Sequence, residues 1–152
     1  MQVATPEDRN RCVVNRGARA KEHGAQAEPT SFGEQAESKA EAFLRNKGFR
    51  ILARNVRWPS GELDLVADSN GVLVFVEVKA RTWSDFGGAV SAVDRRKQER
   101  VIRLAARYLM QHRIKDRACR FDVVLFEPGA EWQNAIEHIE NAFEVPGDDL
   151  RW

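Results

Sequence analysis

No apolar stretch of this chain approaches the roughly 20 residues that a membrane-spanning helix requires. The N-terminus also lacks the apolar segment that opens a secretory signal. Cysteine is scarce. Cys12 and Cys119 are the only two, which gives neither a disulfide framework nor a zinc pattern. Such usage suits a reducing cytosol, so a cytoplasmic protein with no membrane partner is expected. His23, His112 and His138 are isolated and read as structural or solvated. An excess of one charge is missing too. The formal net charge is +1, so bulk charge names no partner. There is no internal repeat and no low-complexity tract. What remains is an ordinary globular composition, 43% apolar and 31% charged over 152 residues. That suffices for one domain with a substantial core.

The most informative stretch runs from Gly61 to Arg81. Asn70-Gly71 lies between two apolar runs, and a type I′ turn needs positive φ at both central residues. With those two as the loop, Ser69 faces Val72, Asp64 faces Glu77 and Glu62 faces Lys79. Side chains alternate along a strand, so these four charged groups form a square on one side of the hairpin. Val72 to Val76 and Val78 form an almost unbroken apolar run, the signature of a strand buried on both faces. Two carboxylates facing one another at the end of such a strand repel. A divalent cation held by oxygens resolves the repulsion.

Around the hairpin the chain divides into segments. Residues 1 to about 30 read as a flexible extension, with Arg9, Arg11, Arg16, Arg19 and Lys21 as a basic arm. Ser31 and Glu34 fit a capping box at the start of a helix over about Gly33 to Lys47, with Ala36, Ala40, Phe43 and Leu44 as its apolar stripe. Phe49 to Trp58 follows as a first strand. Ala80 to Gly88 is a loop whose Trp83 and Phe86 either stack on bases or seal a core edge. A second helix is expected from about Ala92 to His112. On it Val93, Lys97, Val101, Leu104 and Tyr108 fall within an arc of roughly 80°. Arg96, Arg100, Arg103 and Arg107 form a neighbouring ridge, either a solvated face or a phosphate track. Lys97, inside the apolar stripe, either snorkels from the core edge or reaches toward the carboxylates. Arg120 to Phe126 is a further strand, and a weak last strand spans roughly Ala135 to Phe143. Residues 144–152 read as a tail. The order predicts an α/β domain over residues 31–143, with one mixed β-sheet flanked by helices.

The chemistry follows from the cluster. Asp64 and Glu77 are oxygen donors suited to Mg²⁺ or Mn²⁺. Lys79 can orient a water or offset charge developing on a phosphate. A bound metal lowers the pKa of its water and polarises phosphorus. Glu34 either points into the same site or serves only its capping box. The bland alternative is a structural ion-pair network. It accounts for Lys79 and Glu62 but poorly for Asp64 opposite Glu77.

Gly61-Glu62-Leu63-Asp64-Leu65 followed by Val76-Glu77-Val78-Lys79-Ala80-Arg81 resembles the PD-(D/E)xK nuclease pattern. More closely, the chain resembles the bacterial YraN family of endonuclease-like proteins. Gly33-Glu34-x-Ala36, Leu52-x-Arg54-Asn55-x-Arg57, Phe86-Gly87 and Arg120-Phe121-Asp122-Val123-Val124 add to the match, which covers roughly residues 31–143. The resemblance implies a restriction-endonuclease-like fold. It also implies Asp64, Glu77 and Lys79 at the catalytic positions, with Glu34 matching a helix glutamate of archaeal Holliday-junction resolvases. Leu63 stands where the nominal signature has proline.

The expected activity is Mg²⁺-dependent hydrolysis of DNA, in branched or repair intermediates. Arg81, Arg96, Lys97, Arg100, Arg103 and Arg107 are the expected nucleic-acid contacts, positioning phosphates without reading sequence. The runner-up is a nucleic-acid-binding module without turnover. A third reading is a protein-interaction domain built on Trp83, Phe86 and the basic arm. Two symmetric cuts would need a homodimer, and no dimer surface is legible in the sequence.

Overall fold

The computed structural model describes residues 31–80, 93–127 and 136–146. The expectations for the N-terminal arm, Arg81, Trp83 and Phe86 lie outside those residues. α1 spans Phe32–Asn46. Ser31 caps it in both senses of the expected box. Its Oγ accepts from Glu34 N–H at 3.2 Å, and its own N–H donates to Glu34 Oε2 at 3.1 Å. The helix closes on Gly48, whose φ of 88° only glycine adopts without strain.

β1 is Arg50–Trp58, β2 is Gly61–Ser69 and β3 is Val72–Ala80. Asn70 and Gly71 turn the β2–β3 hairpin with φ of 51° and 88°, as a primed turn requires. α2 is Arg95–Gln111, β4 is Cys119–Phe126 and β5 is Ile136–Ile139. The five strands lie in chain order. All neighbours are antiparallel except β3 and β4, which are parallel and joined through α2. The result is a mixed sheet with a helix on each face, the restriction-endonuclease-like α/β arrangement.

β3 is central and buried on both sides. Leu73 and Phe75 join Val101, Leu104 and Tyr108 in the core under α2. Val74 and Val76 join Ala40, Leu44 and Leu65 in the core under α1. Among the described residues no helix is long and apolar enough to cross a membrane.

Two boundaries differ from expectation. α2 begins later than the apolar stripe suggests, because Asp94 accepts from Lys97 N–H at 2.9 Å and so becomes the cap. Val93 stays in the core, but ahead of the helix. β5 ends sooner, because Asn141 turns at φ 51° and gives its N–H to Asp122 Oδ1 at 2.9 Å. Phe143 then stacks on Phe121 with ring centroids 5.1 Å apart.

Asp122 is wholly buried on β4 and saturated with donors. Arg120 meets it with two nitrogens at 2.8 and 2.9 Å, and His138 Nε2 lies 2.9 Å away. Burial alone would raise its pKa, but His138, Arg120 and the Asn141 N–H outweigh that and hold the carboxyl below its usual range. A carboxylate with a depressed folded pKa stabilises above its unfolded pKa and loses that contribution as pH falls through the folded value. Asp122→Ala, which takes the shared acceptor from Arg120, His138 and the Asn141 N–H, is expected to cost about 3 kcal/mol in urea unfolding at neutral pH. The gap to the native chain should narrow in acid.

Candidate functional site

Both acids of the predicted site come from the β2–β3 hairpin, and the site forms where those strands part. The ladder runs from Ser69↔Val72 to Leu65↔Val76 in the register expected from the turn, and there it ends. Beyond it β2 stays with β1, through Val56↔Leu63 and Arg57↔Glu62. β3 stays with β4, through Glu77↔Val123 and Lys79↔Leu125. The expected square of facing pairs is therefore corrected. Each strand is held by its outer neighbour, so neither Asp64–Glu77 nor Glu62–Lys79 is a ladder pair. Glu62 instead meets Arg57 Nε at 2.9 Å.

Asp64 fills the fork. Its Oδ2 accepts from Val78 N–H at 2.8 Å, standing in for a backbone carbonyl that a continued ladder would have supplied. The residue is 9% exposed and Glu77 is 5% exposed. Burial, and then the charge of Glu77, push the Asp64 pKa up to about 7 against the Val78 hydrogen bond. Burial also raises Glu77, opposed first by Lys97 and more weakly by Lys79. The two acids thus remain electrostatic neighbours although the ladder has ended.

Two lysines serve this pair. Leu73 and Phe75 face α2, and alternation carries Glu77 and Lys79 to the same side. From α2, Lys97 reaches down and ion-pairs Glu77 Oε1 through its Nζ. Of the roles left open for Lys97, the structure therefore brings it to the carboxylates. The arginine ridge is separate. Arg96, Arg100, Arg103 and Arg107 are all exposed. The stem of Arg100 lies over Gly61, where an added Cβ would come within 3.2 Å, and the Arg107 guanidinium sits 5.6 Å from the Trp58 ring centroid. The ridge thus crosses the turn end of β1 and β2, three residues from Asp64.

On α1, Glu34 is engaged in the capping box. The α1 acid that acts on Asp64 is Glu37, one turn further along, whose charge raises the Asp64 pKa. Sequence reasoning missed it. Its signal was a half-buried position beside the Ala36 and Ala40 stripe.

Among the described residues no three His, Cys, Asp or Glu side chains converge as a ready-made metal cage. Asp64 and Glu77 are a two-carboxylate set, and their mutual repulsion behind a buried wall is what a hard divalent ion relieves. Mg²⁺ uses such a set, with waters and phosphate oxygens completing its shell. As hard oxygen donors, Asp64 and Glu77 are of the type that such an ion takes.

The pattern of the Uncharacterised protein family UPF0102 matches residues 36–126. A UPF0102 protein of Symbiobacterium thermophilum is 49% identical over 113 residues, spanning 74% of this chain and 96% of the relative. One from Pseudomonas putida is 42% identical over 120 residues, covering 78% and 98%. One from Methylococcus capsulatus is 44% identical over 113 residues, covering 74% and 90%. The chain belongs to UPF0102. UPF0102 is the YraN family that the motifs resemble. The UPF0102 segment starts after Glu34. It contains Glu37, Asp64, Glu77, Lys79, Lys97 and the four ridge arginines.

A carboxyl whose folded pKa is about 7, against 3.8 ordinarily, binds more protons folded than unfolded between those values. Its contribution to stability is full below the lower value and lost as pH rises through the upper one. Asp64→Asn keeps an oxygen for Val78 and removes the buried charge. In chelator-containing buffer this variant is expected to be more stable than the native chain at pH 8, by an amount on the order of 2 kcal/mol. Thermal melts from pH 5 to 8 check this, and the difference should shrink toward pH 5.

Proposed function

We propose that this UPF0102 protein is a metal-dependent endonuclease that hydrolyses phosphodiester bonds in DNA, with branched or repair intermediates as its substrates. The observation that carries the reading is the fork. Two buried carboxylates repel one another there, Lys97 pairs with one of them, and the stem of Arg100 lies over Gly61 on the strand that carries the other. A fold by itself assigns no activity, so the site must carry the argument.

In this reading Asp64 and Glu77 hold Mg²⁺ or Mn²⁺. Once bound, that ion offsets charge on the scissile phosphate and makes a coordinated water more acidic. The Val78 N–H fixes the Asp64 carboxylate through Oδ2, so one ligand is oriented before any ion arrives. Lys79, two residues beyond Glu77, positions the attacking water and stabilises charge developing on the phosphate. Glu37, on α1 beyond the capping Glu34, adds negative charge to the field at Asp64, which favours a cation there. Arg96, Arg100, Arg103 and Arg107 hold flanking phosphates and set the register of the duplex without reading bases. In this reading Arg81 is a further phosphate contact. A binding module without turnover would explain the ridge, but it leaves the buried like-charged pair without a purpose.

The decisive assay is cleavage of linear, flapped and branched DNA in Mg²⁺, in Mn²⁺ and in chelator. Glu77→Ala and Lys79→Ala are each expected to slow metal-dependent cleavage by roughly 100-fold or more. Unchanged rates in both would remove those residues from the chemistry. Salt-sensitive binding with no cleavage of any substrate would leave only the binding module. Reversing Arg96 and Arg103 to Glu should lower the slope of log affinity against log salt by about 2 if both touch phosphates.

A further inference from the structure

Lys97 is placed where a cation is wanted. Its Nζ pairs with Glu77 Oε1, yet its side chain is 42% exposed while that of Glu77 is 6% exposed. The lysine is thus the partly exposed member of the pair and the carboxylate the buried one. The Asp94 cap holds the Lys97 backbone in the first turn of α2, so only the four-carbon stem can move. The ammonium of Lys97 occupies the Glu77 oxygen that a divalent ion would need, so the two cations compete for one carboxylate. Lys79 acts on Glu77 more weakly.

We infer that Lys97 is a displaceable counter-ion of Glu77, which holds the cation position of the site and must leave it before a divalent ion can be held there. This rests on reading Asp64 and Glu77 as metal ligands. Released from Glu77, Lys97 rejoins Arg96 and Arg100 on the exposed side of α2. Entry of the ion thus adds one positive charge to the ridge proposed to bind phosphates. The pair also has a role before that exchange. Lys97 is the charge that most opposes the effect of burial on Glu77, ahead of Lys79.

Calorimetric titration of Mn²⁺ into the metal-free full chain, without DNA, tests this apart from any cleavage assay. Lys97→Met removes the competing ammonium and keeps helix propensity. It is expected to bind Mn²⁺ about tenfold more tightly than the native chain. Lys97→Arg keeps a cation and should stay near the native affinity. Lys97→Gln replaces the Met variant if that one does not fold, as judged by circular dichroism. Equal or weaker binding by the neutral variant overturns the inference. If Mn²⁺ binds the native chain and is lost in Glu77→Ala, such a result refutes the exchange alone and leaves the two acids as metal ligands. If no form of the chain binds Mn²⁺, the metal-ligand reading fails and the inference goes with it.

Discussion

The hydrogen bond from the Val78 N–H to the Asp64 carboxylate sits at the point on which the rest of the structure turns. Two antiparallel strands leave a short turn and then separate, because β1 holds one and β4 the other. Separation exposes backbone groups inside a protein, and unpaired buried donors are costly. A side-chain carboxylate repairs the ladder by one bond. The repair places a negative charge in a wedge between strands, within range of a second one on Glu77. The chemistry proposed for this protein is thus a by-product of how the sheet divides. The α2 helix and its lysine complete the wedge from one face, and α1 adds Glu37 to the field that acts on it.

Asp64 and Asp122 make an instructive pair. Both are buried aspartates on neighbouring parts of one sheet, and their acidities move in opposite directions. Burial raises the pKa of both, and Asp122 is the less exposed of the two, so burial alone does not decide the direction. The number of donors does. Asp122 receives Arg120, His138 and a backbone N–H, and it clamps β5 to β4. Asp64 receives one N–H and faces a like charge. The first is a finished structural joint. The second is left short of positive charge, which is how sites of ligation and catalysis tend to be built.

Much of this architecture was legible in local patterns. Asn70-Gly71 set the hairpin register, Ser31 with Glu34 set the start of α1, and the Val72 to Val78 run marked the central strand. These signals act over a few residues and need no knowledge of the rest of the fold. What escaped was non-local. Nothing between Gly61 and Arg81 says that the ladder stops at Leu65, since that depends on β4 drawing β3 aside. The expected helix start near Ala92 left Asp94 inside α2, and only the folded chain makes it a cap. Glu37 borders the Ala36 and Ala40 stripe, but its action on Asp64 emerges only once α1 is laid across the sheet. Lys97 had several roles open to it until α2 was placed over β3.

The sheet's one parallel pairing also bears on how the protein comes into being. The β2–β3 hairpin closes over two residues, so it can form quickly. β4 joins only after the segment from Ala80 to Cys119 has been traversed, a longer closure that carries a larger entropic penalty. During synthesis the two acids therefore emerge together well before the strand that pries them apart. A nascent chain would hold them in a plain ribbon, and the wedge would open only once the C-terminal third has docked.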